Sequence, residues 1–513
     1  MSNKLMLISF VVSLGGFLFG FDAGIISGVM AYAGPEFNLT DGQIGWIVSS
    51  PSWAAMIAMI FSGRMSDKIG RKKILIVVAV LYAVSALFSA YAVNFEMLVI
   101  ARMVGGLAFG AALILAPMYI AEVSTAANRG KLVSIQQLNI VLGFFAAFFS
   151  NFLFNKFNLP EHDWLTDETV WRWMLGVELI PAMLYFFCLL FIPKSPRWLC
   201  LVGRVDESMA VLNSIHGSDV GAEEIRQIQH SIEADKNREK THWTDILKPA
   251  VRFIVMVGLV VGVLQQITGI NAVYFYATSI FKQTGIGTDA AFSSGVLLST
   301  ITVVFTLIAM YLIDRLGRRP LLLVGTLGVA MSLLLCAYGF YGATYELTRE
   351  EISAFEFENA ELLLPYADML YEDDVAFKQD MKLALGSQVY NRNDGVILEA
   401  ATNMNATIVL IGILGFIACF AFSLGPVMWV LLSELFPLKI RGLAIGFIAF
   451  VNSFVSSVVQ LIFPWELSNL GNAMSFFIFG AIALLGFFVL LRILPETKGK
   501  SLEELEKMLV EAP

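Results

Sequence analysis

The chain has 513 residues, of which 57% are hydrophobic and only 15% are charged, and its formal net charge is −8 at pH 7. In soluble domains roughly a quarter of all residues are charged. This composition therefore excludes a soluble globular protein and indicates many membrane spans. The acidic balance and the lack of a basic patch with interleaved aromatic residues argue against a nucleic-acid partner. Four scattered cysteines match neither a disulfide framework nor a metal-ligand spacing.

Apolar runs long enough to cross a bilayer as helices recur about twelve times. We predict an all-α membrane protein with spans near residues 5–32, 42–63, 73–93, 95–122, 131–155, 171–193, 250–281, 288–313, 318–343, 404–432, 442–465 and 470–494. Most of the 34 Lys and Arg residues then lie on one side of the membrane. By the positive-inside rule that side is cytoplasmic, and both termini are expected there.

The first apolar run contains a carboxylate, Asp22, among small residues that let other helices or a solute come close. A charge at this depth costs at least about 2.5–3.5 kcal/mol, so it needs a partner, a water-filled cavity or a function. Arg102 and Glu178 are expected in the same layer of the membrane, counted at about 1.5 Å per residue. Burial favours neutral Asp22 and Arg102 favours the anion, so we expect these residues to couple proton binding to conformation. A static Asp22–Arg102 pair is the alternative, and Glu178 stays open between polar packing and a second proton site.

Two charged elements recur in the same order in both halves of the chain. A loop of mixed charges occurs at residues 63–72 and again at 314–319, and Glu122 and Glu434 each precede an Arg-Gly pair by seven residues. This repeat predicts a major facilitator fold, with two parallel six-span halves and a solute site near midplane between them. We expect the repeated charges to pair across the two halves at the cytoplasmic side, as a gating latch that breaks when this side opens, and topogenic charge is the alternative. The gating candidates from the repeats are Asp67, Arg71, Glu122, Arg129, Asp314, Arg318, Glu434 and Arg441.

The predicted organisation has four parts. These are an N-terminal six-helix half (1–193), a cytoplasmic helical linker (194–249), a C-terminal six-helix half (250–494) and a cytoplasmic tail (495–513). The C-terminal half contains an external insertion, 344–403, with 13 Asp and Glu against four Lys and Arg. A solvated, partly helical insertion is favoured, and a solute-binding lid is the alternative.

Polar side chains line the predicted span 7, where Gln265, Gln266 and Asn271 fall near midplane. Amides both donate and accept hydrogen bonds, which suits the hydroxyls of a neutral polyol, and hydrogen bonding between helices is the alternative. Trp429, in span 10, adds an aromatic face of the kind that holds a sugar ring. Spans 5 and 11 add further amides, Gln136, Gln137, Asn139 and Asn452.

The chain resembles the sugar porter family of the major facilitator superfamily over nearly its whole length, except the insertion. The resemblance is carried by Phe-Gly-Phe-Asp at residues 19–22, both mixed-charge loops, Glu122 to Gly130, and residues 193–199, 265–271, 425–434 and 495–499. It implies that Asp22 and Arg102 match the proton-coupling pair of proton-driven members, whereas facilitative members commonly carry Asn at the position of Asp22. It also implies sugar contacts from Gln137, Gln265, Gln266, Asn271, Trp429 and Asn452.

Two departures from the family pattern concern the gates. Lys194 stands where the family usually has a glutamate, which removes one carboxylate from the cytoplasmic charges. The gating Tyr-Tyr pair of span 7 reads Phe275-Tyr276, so one hydroxyl of the external gate is absent.

We therefore expect a proton-coupled symporter of a monosaccharide or polyol that works by alternating access, with no cofactor or metal and a proton gradient as its energy source. A facilitative uniporter of the same fold is the first alternative, and a non-transporting sugar receptor is the second. An enzyme is not expected, because no nucleophile, metal cluster or nucleotide loop appears. The expected setting is a monomer in a bacterial inner membrane, whose partners are the sugar, protons and the bilayer, and no nucleic acid. Xylose, glucose, galactose, arabinose and inositol stay open as substrates.

Overall fold

The computed structural model describes residues 3–158, 165–236, 243–437 and 440–497. Within these ranges, twelve helices or runs of helix are long and apolar enough to cross a membrane. The all-α, twelve-span fold expected from the sequence is thereby confirmed.

The first six spans are formed by seven helices. They are α1 (Asn3–Glu36), α2 (Asp41–Ile69), α3 (Arg71–Ala90), α4 (Phe95–Val123), α5 (Ala126–Phe157), α6 (Val170–Gly176) and α7 (Leu179–Phe191). Glycines let α1 and α5 touch, because a Cβ at Gly20 would lie 2.0 Å from the carbonyl oxygen of Ile140, and one at Gly143 would lie 2.1 Å from that of Phe17. Span 6 is divided between α6 and α7, and Glu178 lies at the break.

Three helices follow between the sixth and seventh spans, α8 (Pro196–Leu201), α9 (Val205–His216) and α10 (Ser218–Lys236), and a 3₁₀ helix covers Trp243–Leu247. The hydroxyl of Ser195 caps α8 by accepting a hydrogen bond from the backbone N–H of Trp198. At the end of α9, a ring nitrogen of His216 lies 2.8 Å from the carbonyl oxygen of Val123, so α9 is held against the end of α4.

The last six spans are formed by α11 (Pro249–Ile267), α12 (Ile270–Phe275), α14 (Thr288–Leu316), α15 (Arg318–Tyr341), α19 (Ala406–Phe422), α20 (Leu424–Leu435), α21 (Arg441–Asn469) and α22 (Gly471–Ile493), with α13 (Ala277–Lys282) extending span 7. Span 7 was expected as one helix over 250–281, but Gly269, with φ 82°, ends α11 in a left-handed conformation that favours glycine. Span 10 is divided at Ser423, because Pro426 in the first turn of α20 has no N–H to continue the hydrogen bonding of α19.

The insertion, residues 344–403, is a small packed subdomain. Its stem is an antiparallel pair of strands, β1 (Thr344–Tyr345) and β2 (Thr402–Asn403), and its helices are α16 (Arg349–Ala354), a 3₁₀ helix (Ala360–Tyr366), α17 (Asp374–Leu385) and α18 (Ser387–Ala401). Its own core includes Leu363, Phe377 and Ile397. Burial, reinforced by the carboxylates of Asp394 and Asp374, raises the pKa of Tyr390 well above its ordinary value.

Contact density divides the chain into two compact units. The first unit comprises Met1–Asp22, Ser50–Ala146 and Leu175–His242, and the second comprises Ala23–Ser49, Ala147–Met174 and Trp243–Pro513. The boundary therefore crosses α1 directly after Asp22. These units are not the two six-span halves, because parts of α1, α2, α5 and α6 pack within the second unit. The predicted domain limits at 193, 249 and 494 stay a prediction.

Candidate functional site

A buried ion pair joins α1 and α4 in the first unit. Arg102 donates from Nη1 to Oδ1 of Asp22 at 3.2 Å and from Nη2 to Oδ2 at 3.5 Å. The two side chains are only 2% and 5% exposed. Gly105, three residues after Arg102, leaves room for this approach, because a Cβ there would lie 2.6 Å from Oγ of Ser85 and 3.9 Å from Oδ1 of Asp22. A buried charge needs a partner of this kind, since the desolvation cost is several kcal/mol per ion.

Glu178 lies close to this pair. It is 2% exposed, and the charges acting on it are those of Asp22 and Arg102. Tyr82 lies within electrostatic reach of both carboxylates and donates its hydroxyl to the carbonyl oxygen of Gly15 at 3.1 Å. The structure thus brings the three predicted proton-coupling residues into one buried cluster. The sequence did not single out Tyr82, because one tyrosine in an apolar helix looks like any core residue.

The predicted amides form a continuous hydrogen-bond network in the second unit. Gln265 accepts at Oε1 from Asn452 Nδ2 at 2.8 Å and from Gln266 Nε2 at 3.1 Å. Asn271 donates from Nδ2 to Gln266 Oε1 at 2.8 Å and to Ser456 Oγ at 2.6 Å. Gln265 and Asn452 are buried, whereas Gln266 and Asn271 are half-buried. The deeper amides therefore orient the shallower ones, which keep polar atoms accessible.

This network is anchored by the broken spans. Gln265 donates from Nε2 to the carbonyl oxygen of Leu424 at 2.8 Å, at the start of α20. Asn452 donates to the carbonyl oxygen of Gly262 at 2.7 Å, on α11. Amide side chains on α11 and α21 are thus locked by backbone oxygens, which favours a preformed site.

Two residues of the network were not among the predicted site residues. Gln460 donates from Nε2 to Oγ of Ser456 at 2.7 Å, and its carbonyl oxygen accepts from the hydroxyl of Tyr276 at 3.0 Å. Ser456 and Gln460 lie four and eight residues after Asn452 on α21. This spacing places their side chains on the same face of α21 as Asn452, and it is the sequence signal that would have identified them.

The other predicted sugar and gate residues are placed as follows. Trp429 lies on α20 with 43% of its surface exposed. Gln137 lies on α5 in the first unit and is half-buried, and its side chain makes no hydrogen bond within the part of the chain that the structure describes. Phe275 and Tyr276, at the end of α12, are both buried. Which of these side chains meet a substrate stays a prediction.

The ion pairs found among the repeated charges each join residues of the same unit, and the expected pairing across the two halves stays a prediction. In the first unit, Nη2 of Arg71 lies 2.6 Å from Oδ1 of Asp67 and 3.0 Å from Oε1 of Glu122. The hydroxyl of Ser195 also donates to Glu122. Lys194 stands where the family usually has a glutamate, and its Nζ lies 3.6 Å from Oε2 of Glu207 in an exposed ion pair.

The second unit repeats this arrangement. Nη2 of Arg318 lies 2.7 Å from Oε1 of Glu434, and the hydroxyl of Thr497 donates to Oε2 of Glu434 at 2.6 Å. Glu496 accepts from the backbone N–H of Arg318 at 3.2 Å. Arg441 donates from Nε to the carbonyl oxygen of Phe436 at 3.0 Å. The side chains of Arg129 and Asp314 lie outside the described part of the structure. Counted along the twelve spans, the loops at 63–72 and 314–319 fall on one side of the membrane, which we call the charged-loop side. Residues 344–403 fall on the opposite side, which we call the insertion side.

On the insertion side of the second unit, helices from the first six spans meet helices from the last six. The backbone N–H of Thr278 donates to Oγ of Ser27 at 2.9 Å, which joins α13 to α1. Asn155 donates from Nδ2 to Oδ1 of Asp289 at 2.7 Å and accepts from the hydroxyl of Tyr32 at 2.6 Å, which joins α5 to α14 and to α1. The sequence analysis did not identify these contacts, because single polar residues far apart in the chain carry no pattern.

Comparisons with known proteins identify the family of this chain. A family model described as sugar (and other) transporter matches residues 8–355 and 388–509, so the unmatched stretch lies inside the insertion. The arabinose-proton symporter of Bacillus subtilis (strain 168) is 32% identical over 98% of this chain and 94% of its own length. The major myo-inositol transporter IolT of the same organism is 32% identical over 98% of this chain and 93% of its own.

A solved structure shares the fold. The xylose transporter XylE from E. coli, in a partially occluded inward open conformation, aligns with a TM-score of 0.75 and 27% sequence identity. The alignment covers 98% of this chain and 100% of that one. The same protein bound to 6-bromo-6-deoxy-D-glucose, a major facilitator superfamily member, aligns with a TM-score of 0.69.

Proposed function

This chain belongs to the family of sugar (and other) transporters and has the major facilitator fold, and we propose that it carries a monosaccharide or polyol together with a proton across the membrane. It is a transporter and not an enzyme. Its twelve spans and its bacterial relatives identify an integral multi-pass protein of the inner membrane.

The observation that carries the proposed coupling is the buried pair of Asp22 and Arg102. Protonation of Asp22 removes the anion that balances the Arg102 guanidinium, and the free energies of the conformations then change relative to one another. A proton bound at Asp22 thus selects the state that also binds sugar. Glu178 lies close enough to act on the same equilibrium. No cofactor takes part in this step, since the gradient of protons supplies the energy.

The sugar site that we propose is the amide network of α11, α12 and α21. The NH2 protons of Gln266 and Asn271 are used within the network, so these residues offer their amide oxygens as acceptors to ring hydroxyls. Gln265 and Asn452 hold Gln266 in place. Trp429, on α20 in the same unit, completes the site by contact with the ring. A network of neutral amides selects a neutral, hydroxyl-rich solute, and the relatives named for arabinose and myo-inositol support that class of substrate.

Two gates follow from the placement of the polar contacts. We assign the charged-loop side to the cytoplasm, because most Lys and Arg residues lie there, and both termini with it. The insertion side is then the outer side, and the contacts of α1 and α5 with α13 and α14 form the outer gate together with Phe275 and Tyr276. The ion pairs of Arg71 and Arg318 form the inner latch. The proposed transporter acts as a monomer and binds no nucleic acid.

The test is uptake of labelled sugar into proteoliposomes that contain the purified native protein, with and without an inward proton gradient. A panel of arabinose, xylose, glucose, galactose and myo-inositol identifies the substrate. The proposal requires that the gradient drives accumulation above equilibrium for at least one of them. Equilibration without accumulation at every gradient would show a uniporter, and binding without uptake would show a receptor.

A further inference from the structure

The insertion is docked tightly on the turn between α13 and α14. A Cβ at Gly285 would lie 2.7 Å from Cβ of Thr402, and a Cβ at Gly287 would lie 2.5 Å from Oε2 of Glu399. Both glycines have positive φ, 73° and 77°, so a side chain there would be strained as well as crowded. The turn therefore fits against α18 and β2 with no space between them.

The insertion also contributes a glycine to this contact. A Cβ at Gly395, on α18, would lie 2.6 Å from Oγ1 of Thr288, the first residue of α14. One turn of α18 is thus pressed against the start of α14, and this closeness depends on glycine. Such approaches transmit displacement directly, because a packed interface has no free volume to absorb it.

A largely buried ion pair fixes this interface. Nζ of Lys282, the last residue of α13, lies 3.3 Å from Oδ1 of Asp394 on α18, and the side chains are 10% and 28% exposed. A cation at the end of α13 also complements the negative end of that helix. Removal of either partner leaves a mostly buried charge without its counterion, which is strongly destabilising.

A second anchor ties the insertion to the turn between α21 and α22. Asp374, in α17, accepts from Nδ2 of Asn472 at 2.7 Å and from Nζ of Lys378 at 2.7 Å. A Cβ at Gly471 would lie 2.4 Å from Oδ1 of Asp374, so this contact is close as well. The insertion therefore spans two separate turns of the C-terminal half.

The α13–α14 turn is held from the opposite side by the outer gate. Thr278 on α13 bonds to Ser27, and Asp289 on α14 bonds to Asn155. We propose that the insertion is a clamp on the outer gate, in which Lys282 is a positioning residue that keeps α13 docked on the C-terminal half. The outer gate then opens where Ser27 and Asn155 separate from the turn, and α13 does not bend away from α14. The gating role of this inference rests on the proposed function.

Hydrogen–deuterium exchange of the full-length protein tests the clamp. In Lys282→Met, backbone amides of residues 277–289 are expected to exchange at least about tenfold faster than in the native protein, because the segment opens locally more often. The matched control is Arg349→Met, which removes an exposed ion pair of the insertion, Arg349 with Asp368, that is far from the turn in sequence. That variant should leave residues 277–289 unchanged. The charge exchange Lys282→Asp with Asp394→Lys should restore native protection.

A second variant, in which the insertion is excised, controls for the case that Lys282→Met acts only by unfolding the insertion. The stem strands pair Tyr345 with Thr402, so a short turn can join them and replace residues 346–401. This variant should keep its spans folded and show the same faster exchange at residues 277–289. Unchanged exchange there in Lys282→Met and in the excision variant would overturn the clamp, as would an equal increase in Arg349→Met.

The clamp and the symport can be refuted independently, because hydrogen–deuterium exchange is measured without sugar and without a proton gradient. Faster exchange in Lys282→Met, together with a native protein that accumulates no sugar, would overturn the proposed symport and leave the clamp. Normal accumulation with unchanged exchange would overturn the clamp and leave the symport.

Discussion

Arg102 lies against Asp22, with Nη1 3.2 Å from Oδ1 and Nη2 3.5 Å from Oδ2, although 80 residues separate them in the chain. Both side chains are almost completely buried. Neutralising the carboxylate leaves a buried guanidinium without its counterion, and such a change suits a residue whose protonation biases a conformational equilibrium.

Asp22→Asn should abolish accumulation of sugar driven by a proton gradient and retain exchange of sugar across the membrane. The amide keeps the size of the side chain and one acceptor oxygen for Arg102, but it carries no charge and cannot gain or lose a proton. Labelled sugar uptake and counterflow in proteoliposomes measure the two activities separately.

The control for this variant is Glu36→Gln, at the C-terminal end of α1. Glu36 pairs with Arg172 at 2.8 Å and is more exposed than Asp22. Accumulation should survive this change. Undiminished accumulation in Asp22→Asn, or an equal loss in both variants, would show that Asp22 is not the coupling acid.

Arg102→Met should destabilise the protein more than Arg102→Met combined with Asp22→Asn. The single change leaves a buried carboxylate without its cation, at a cost of about 3–5 kcal/mol, and the double change removes both charges. Thermal unfolding in detergent measures the difference as a shift of the Tm. Equal Tm values for the single and the double variant would mean that the pair does not balance these charges.

Glu434→Gln should slow sugar transport by at least about fivefold, because Arg318 loses the charge-assisted hydrogen bond of the inner latch, which is worth about 1.5–3 kcal/mol. Arg315→Met serves as control, since Arg315 belongs to the same loop but lies over the ring of Tyr311, 4.0 Å from its centre. The initial rate of uptake at saturating sugar is the measurement. The charge exchange Arg318→Glu with Glu434→Arg should recover part of the rate. An unchanged rate in Glu434→Gln would mean that these charges only orient the loops in the membrane and do not form a latch.

The sequence was sufficient for the features that follow a pattern. Twelve spans follow from hydropathy, and the layer shared by Asp22, Arg102 and Glu178 follows from counting residues along helices. The amides of span 7 were found because Gln265, Gln266 and Asn271 are expensive in an apolar helix unless something bonds them.

Other features depend on contacts that no local pattern contains. The pair of Lys282 and Asp394 joins residues 112 positions apart, and each alone looks like an ordinary surface charge. The break at Gly269 was missed because a single glycine in an apolar run is compatible with a continuous helix, and only its positive φ decides. The docking of the insertion likewise required three-dimensional packing.

Asn271→Ala should raise the half-saturating sugar concentration by about tenfold, which corresponds to about 1.4 kcal/mol, with a smaller effect on the maximal rate. The variant removes a side chain that is half-buried and held by Gln266 and Ser456. Thr300→Ala is the control, because its hydroxyl bonds to the carbonyl oxygen of Val296 on the same helix, away from the amides.

Ser456→Ala should raise the half-saturating concentration by about threefold, because it frees Asn271 to rotate out of its orientation. If Ser456 acts through Asn271, the effect of Ser456→Ala disappears when Asn271 is already alanine. A double-mutant cycle on the half-saturating concentration measures this coupling. Additive effects would instead mean that Ser456 contacts the sugar independently, and no effect of Asn271→Ala would place the sugar outside the amide network.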